Sequence, residues 1–134
     1  MTEQPIRPAA TVIIARAAVP QYEILMLRRT NAAVFAGGMY VFPGGKIDEA
    51  DADPELINYF SPLGTPQRLQ QKALGDAWQS SWVAGIRETF EESGILLAYT
   101  EDGALADTSN MNLDQARAEI HAGSLTLKAL CARE

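Results

Sequence analysis

Between Asp76 and Gly94 the chain spells one helix whose two faces cannot serve the same purpose. At about 100° per residue, Glu88, Glu91 and Glu92 fall within an arc of about 100°, while Trp82, Val83, Ile86 and Phe90 take the opposite side. One face needs a core and the other is carboxylate. These carboxylates sit in the last two turns, where the helix dipole disfavours negative charge by roughly 0.3–1 kcal/mol each. The Glu88 and Glu92 pair adds repulsion of about 0.2–0.5 kcal/mol, partly offset by Arg87 four residues before Glu91. A solvated helix face is one explanation of such a cluster. A bound divalent cation is another, and it would reverse the sign of the arrangement.

Composition narrows the choice. The chain has 134 residues, 47% of them hydrophobic, with net charge −6 and pI near 4.7. That is enough for one globular domain over residues 1–134. A nucleic-acid backbone or anionic membrane would be repelled at long range, so neither is expected as a partner. A small anionic substrate would need a local cation. The single cysteine, Cys131, cannot form an internal disulfide, and the single histidine, His121, cannot build a His-rich metal site or a Ser-His triad; both read as incidental. Any metal should be hard and oxygen-bound. The apolar run Thr11 to Ala18 is too short for a signal core or membrane span, which suggests a cytoplasmic protein.

Thr11 to Arg16 reads as a buried strand, followed by a turn at Val19–Gln21 and a second strand, Tyr22 to Arg29, apolar on both faces and therefore expected to be central. Met39 to Phe42 reads as a short strand ended by Pro43, with Gly44 and Gly45 as a tight turn. Asp53-Pro54 and Thr65-Pro66 look like helix starts, giving short helices near 54–60 and 66–74. Asp76 with Gln79 resembles a capping box for the long helix, and Gly94 stops it. Residues 95–99 read as a strand, and 113–121 and 125–132 as helices. Trp78 and Trp82 are four apart, more in keeping with packing than with stacking on a base.

The run Arg87-Glu88-Thr89-Phe90-Glu91-Glu92-Ser93-Gly94-Ile95 fixes five identities as Arg-Glu-x-x-Glu-Glu-x-Gly. Average usage gives on the order of one chance match in 10⁴ chains of this length, too rare for an arbitrary charge cluster. The run resembles the second half of the Nudix box of the Nudix hydrolases. The resemblance implies a Nudix-like α/β (α+β) fold, an α/β/α sandwich around a mixed sheet. It implies that Glu88, Glu91 and Glu92 hold Mg2+, with Mn2+ as a substitute, that one of them or a water on the metal serves as base, and that Arg87 orients them through salt bridges. Phe42-Pro43-Gly44-Gly45 matches the first half. Gly45 lies 42 positions before Arg87, against 14 in an uninterrupted box, so 28 residues loop out, as a helical insertion over about 49–76. Counting forward from Gly45 puts Asp51 at the upstream box glutamate; counting back from Arg87 puts Gln79 there.

Such an interruption resembles the coenzyme A diphosphatase-like subgroup. So does the stretch upstream: Leu25-Met26-Leu27-Arg28-Arg29-Thr30, then Val34 in place of a second arginine, then Gly38 and the Phe-Pro-Gly-Gly end. Arg28 and Arg29 could reach a phosphate from a strand end, and Gly44 and Gly45 could bring backbone N–H groups close to a diphosphate. The expected function is Mg-dependent hydrolysis of a small nucleoside-diphosphate derivative, coenzyme A or acyl-coenzyme A first. ADP-ribose or a dinucleotide is the alternative that Val34 favours. A non-catalytic Nudix-like binding module is the rival from another class. Some forty residues after the acidic helix hold fewer elements than the resemblance implies, so the C-terminal part of the fold is expected to be missing, and a homo-oligomer could cover the exposed edges.

Overall fold

In this computed structural model residues 5–33 and 37–134 are described; Val34 and the first residues of the N-terminal segment lie outside them. The chain enters as β1 (Ala9–Thr11), runs through Val12–Ile14 into β2 (Ala15–Ala17), and turns back as β3 (Tyr22–Ile24) and β4 (Leu27–Arg28). β5 (Tyr40–Val41) and β6 (Gly44–Lys46) follow. All pairings among the described residues are antiparallel: β1 with β6, β2 with β3, β4 with β5. The expected hairpin is present, with Arg16 opposite Glu23.

Both long strands change partner midway. Val12 N donates to Pro43 O (2.9 Å) and Leu25 N to Ile14 O (2.9 Å), so each ladder runs past its regular part before the neighbour is exchanged. Each single strand expected from the sequence is therefore split in two. The parallel part of the expected mixed sheet has no ladder among the described residues. The 22–29 segment is also not central. Its register puts Ile13, Ile24, Met26, Tyr40 and Phe42 on one face, and Ile24 (41%) and Tyr40 (64%) are open to solvent. Nor do Gly44 and Gly45 make a turn. They pair with Thr11 and Ala10 in the β1–β6 ladder.

The insertion folds as two 3₁₀ turns, Glu49–Ala52 and Pro54–Tyr59, then α1 (Thr65–Leu74) and a third 3₁₀ turn, Gly75–Ala77. Asp53 caps the second turn as expected, accepting from Glu55 N. Gly64, not Thr65, is the N-cap of α1, which moves Pro66 to its second position. α2 (Trp78–Ser93) is the long helix read from the sequence, closed by Gly94 in the left-handed region with its N–H on Phe90 O (2.9 Å). Its start differs from expectation. The chain enters already wound as a 3₁₀ turn, so Asp76 makes no cap, and Gln79 Nε2 donates to Asp53 O (2.7 Å). The reciprocal capping box lies at Asp48 and Asp51. Among the described residues, 95–99 pair only at Tyr99, opposite Leu105.

α3 (Asp114–Ala122) and α4 (Leu127–Arg133) complete the chain. The core lies on the helical side, where Val83 and Phe90 of α2 meet Leu56, Ala116, Ile120, Leu127 and Leu130. The opposite side of α2 rests on β1 and β6. Gly85 permits this approach, because a Cβ there would stand 2.9 Å from Val12 Cγ2. The α/β reading of the sequence thus holds, with the acidic helix pinned between core and glycine strand. No helix among the described residues is long and apolar enough to cross a membrane.

Candidate active site

Arg87 is only 8% exposed and uses all five of its N–H donors. Nε and Nη2 bond Asp51 Oδ1 and Oδ2, both at 2.9 Å, and Nη2 also bonds Lys46 O at 3.0 Å. Nη1 reaches Glu88 Oε1 at 3.0 Å and Glu91 Oε1 at 2.8 Å. These bonds, those to Asp51 foremost, hold the guanidinium further toward its charged form; burial opposes them and Glu91 adds to them. Of the two positions counted for the upstream box glutamate, Asp51 is therefore the one brought to Arg87. Gln79 is engaged elsewhere. Asp51 is 1% exposed, and its Oδ2 also accepts from Asp48 N (2.8 Å), so the carboxylate is fixed from two sides.

The three glutamates end up close to the two glycines. Glu92 Oε2 accepts from Gly44 N at 3.1 Å. The Glu88 carboxylate fills the space where a side chain at Gly45 would begin, so a Cβ there would collide with it. Burial pushes the Glu88 carboxyl above the usual carboxylate range; the Arg87 charge opposes this, while Glu91 and Glu92 push with it. The resulting crevice has β6 backbone on one wall and the end of α2 on the other.

Two residues of α3 reach the same helix end, and no sequence motif marks either. Arg117 Nε donates to Glu91 O (2.7 Å) and Nη2 to Glu92 O (2.9 Å). His121, read as incidental, places Nδ1 3.2 Å from Glu91 Oε2. A histidine one turn after an arginine on an amphipathic helix was the only available hint.

Arg28 ends β4 and Arg29 follows it; both are exposed, have no side-chain ion pair among the described residues, and are not brought into contact with the glutamates. Arg28 sits opposite Tyr40, four residues before Gly44. Trp78 packs edge-on against both Phe60 (5.5 Å) and Trp82 (5.3 Å), the packing role expected of this pair. A cleft of about 130 Å³ opens behind Arg87, toward the α3–α4 link. Glu88 and Glu92 do not line it, and its cations are already committed, Arg87 to Asp51 and Lys128 to Asp53 and Glu55.

The donor chemistry at the end of α2 fits a hard divalent cation, since it offers carboxylate oxygens and no thiolate. Among the described residues, however, no three His, Cys, Asp or Glu side chains are gathered as a ready metal cluster. Arg87 Nη1 stands between Glu88 and Glu91, and Glu92 turns to Gly44 instead. Among the described residues Glu88 and Glu92 each engage the protein through one oxygen.

The chain is similar to known hydrolases. Acyl-coenzyme A diphosphatase NUDT19 of Xenopus laevis is 30% identical, across 67% of this chain and 29% of that protein. Putative nudix hydrolase 7 of Caenorhabditis elegans is 32% identical, across 85% of this chain and 30% of that one. The crystal structure of a NUDIX hydrolase from Alicyclobacillus acidocaldarius superposes with a TM-score of 0.71 at 30% identity, covering 98% of this chain and 54% of that one. The chain thus spans under a third of these curated relatives and about half of the solved structure. No family model matches it.

Proposed function

This chain belongs to the Nudix hydrolase superfamily, and from that premise we propose that it hydrolyses the diphosphate bond of a small nucleoside-diphosphate derivative with Mg2+, coenzyme A or an acyl-coenzyme A being the favoured substrate. The observation that carries the reading is the meeting of Glu88 and Glu92 with Gly45 and Gly44 at one crevice, beside Glu91 and the Arg87 hub.

Glu88, Glu91 and Glu92 would hold the cation, Mg2+ or Mn2+, through carboxylate oxygens. Bound there, a divalent ion offsets the clustered negative charge and withdraws electron density from the phosphorus under attack. Arg87 keeps Glu88 and Glu91 on one side of the helix and is itself held by Asp51, so the acids cannot splay toward solvent. Gly44 and Gly45 let the β6 backbone approach a diphosphate without side-chain obstruction, and the Gly44 N–H is a donor already aimed into the crevice. Arg28 and Arg29 supply cationic groups to the outer phosphate, the local positive charge that a chain of net charge −6 needs for an anionic substrate.

The deciding experiment incubates the chain with Mg2+ and either coenzyme A or ADP-ribose and identifies the products. Coenzyme A should yield an adenosine bisphosphate and a phosphopantetheine fragment. Glu91→Gln should lower the rate by on the order of 10², as expected when a charge-stabilising group is lost. Turnover that persists with Glu91→Gln, or without divalent metal, rejects the mechanism; preference for ADP-ribose rejects only the substrate.

A further inference from the structure

The last turn of α2 carries Glu91 and Glu92, and its Phe90, Glu91 and Glu92 carbonyls each have a donor. Thr89 O accepts from Ser93 Oγ (2.6 Å) and Phe90 O from Gly94 N (2.9 Å). Glu91 O and Glu92 O accept from Nε and Nη2 of Arg117. Carbonyls at a helix end otherwise lack partners inside the helix, and a cation placed there opposes the dipole that makes this end unfavourable for glutamates. Arg117 meets both needs with one guanidinium. It sits over the C-cap, where a Cβ on Gly94 would lie 3.5 Å from Arg117 Nη1. Its helix is anchored by its buried neighbours Ala116 and Ile120, in the same core as Phe90. His121, one turn on, meets the Glu91 side chain, so α3 contacts Glu91 at both main chain and carboxylate.

We propose that Arg117 is a positioning residue for this chemistry: its two-point grip on the Glu91 and Glu92 main-chain oxygens fixes the direction in which those carboxylates face a divalent cation. The proposal rests on the reading that Glu88, Glu91 and Glu92 hold the ion. Arg117 touches no reacting atom and acts only through the turn it clamps.

The test is a titration of the whole chain with Mn2+, without substrate, in which the free ion is read by its paramagnetic resonance signal and the melting temperature is recorded in parallel. Arg117→Met should weaken Mn2+ binding about tenfold or more, as expected for loss of a group that supports a ligand. Arg117→Lys should fall between it and the unmodified chain, because one ammonium keeps the charge but cannot span both carbonyls; it also serves if Arg117→Met does not fold. Lys128→Met, which removes a tie elsewhere, should lower the melting temperature and leave Mn2+ affinity unchanged. Unchanged affinity in Arg117→Met, with Glu91→Gln impaired, overturns the positioning role and leaves the ion site standing. Equal weakening by Lys128→Met also overturns it, by showing a general stability effect. If the unmodified chain binds Mn2+ no better than Glu91→Gln, the ion site falls and the role of Arg117 falls with it.

Discussion

Asp51 and Arg87, 36 positions apart, meet as a buried two-point ion pair with both N–H···O distances at 2.9 Å. Removing one member of such a pair strands the other and costs about 3–5 kcal/mol. Asp51→Leu should therefore lower the melting temperature by on the order of 10 °C, at a few degrees per kcal/mol for a chain of this size. Replacing both, as Asp51→Leu with Arg87→Met, should restore much of the stability but not the hydrolysis, because Glu88 and Glu91 lose their common donor. Calorimetry and a product assay on the two variants check this; hydrolysis recovered in the double variant would refute the orienting role of Arg87.

The two neighbouring glycines should fail in different ways. The nearest atoms to a Cβ at Gly45 belong to the flexible Glu88 side chain rather than to backbone, so Gly45→Ala should change stability by no more than about 1 kcal/mol while lowering Mg2+-dependent turnover. A Cβ at Gly44 meets the backbone of Ala10 and Thr11 at a φ of 155°, so Gly44→Ala should cost about 1–3 kcal/mol. Comparing the two by melting and by rate separates crevice from ladder; equal melting temperatures would contradict this division.

Phe90 is fully buried between two of the proposed ligands and packs with Ala116 and Ile120. Phe90→Ala should destabilise by about 3–5 kcal/mol. Urea unfolding measures the loss, and a cost under 1 kcal/mol would mean that this core does not fix the acidic turn.

Lys128 ties α4 to the insertion through Asp53 Oδ2 (2.6 Å) and Glu55 Oε2 (2.8 Å). Hydrogen bonding to Lys128 first, and to the Glu55 N–H next, depresses the Asp53 carboxyl, while the bonds to Asp53 and then Glu55 raise the Lys128 ammonium. A depressed acid contributes stability above its unfolded value near 3.9, lost as pH falls through the folded one. A raised base contributes stability below its unfolded value near 10.4, lost as pH rises through the folded one. The stability difference between the unmodified chain and Lys128→Met should thus be level from about pH 5 to 9 and shrink on the acid side and in strong alkali. Urea titrations across pH read it directly; a difference that grows toward acid would contradict the sign.

The acidic helix was legible because its period, its Gly94 stop and its box-like spacing lie within one short stretch, where local geometry decides the structure. Asp51 was reachable by counting from Gly45, but its choice over Gln79 depended on where the insertion folds back. Arg117 and His121 were not legible, since their contacts cross 25 residues or more and no motif spans them. The strand at 22–29 was misread for a related reason. Apolar residues on both faces signal burial only when elements cover both sides, and on the face bearing Ile24 and Tyr40 both side chains are open to solvent.

Gly85 has a further consequence. It lies one helical turn before Glu88 and lets α2 settle directly onto the strand that pairs with the glycines. The spacing between α2 and this strand is therefore set by how closely the helix main chain seats on the Val12 side chain. A single methyl at position 85 would act as a shim against the stiff branch of Val12, lifting the acids away from Gly45 as a rigid body without altering one of them.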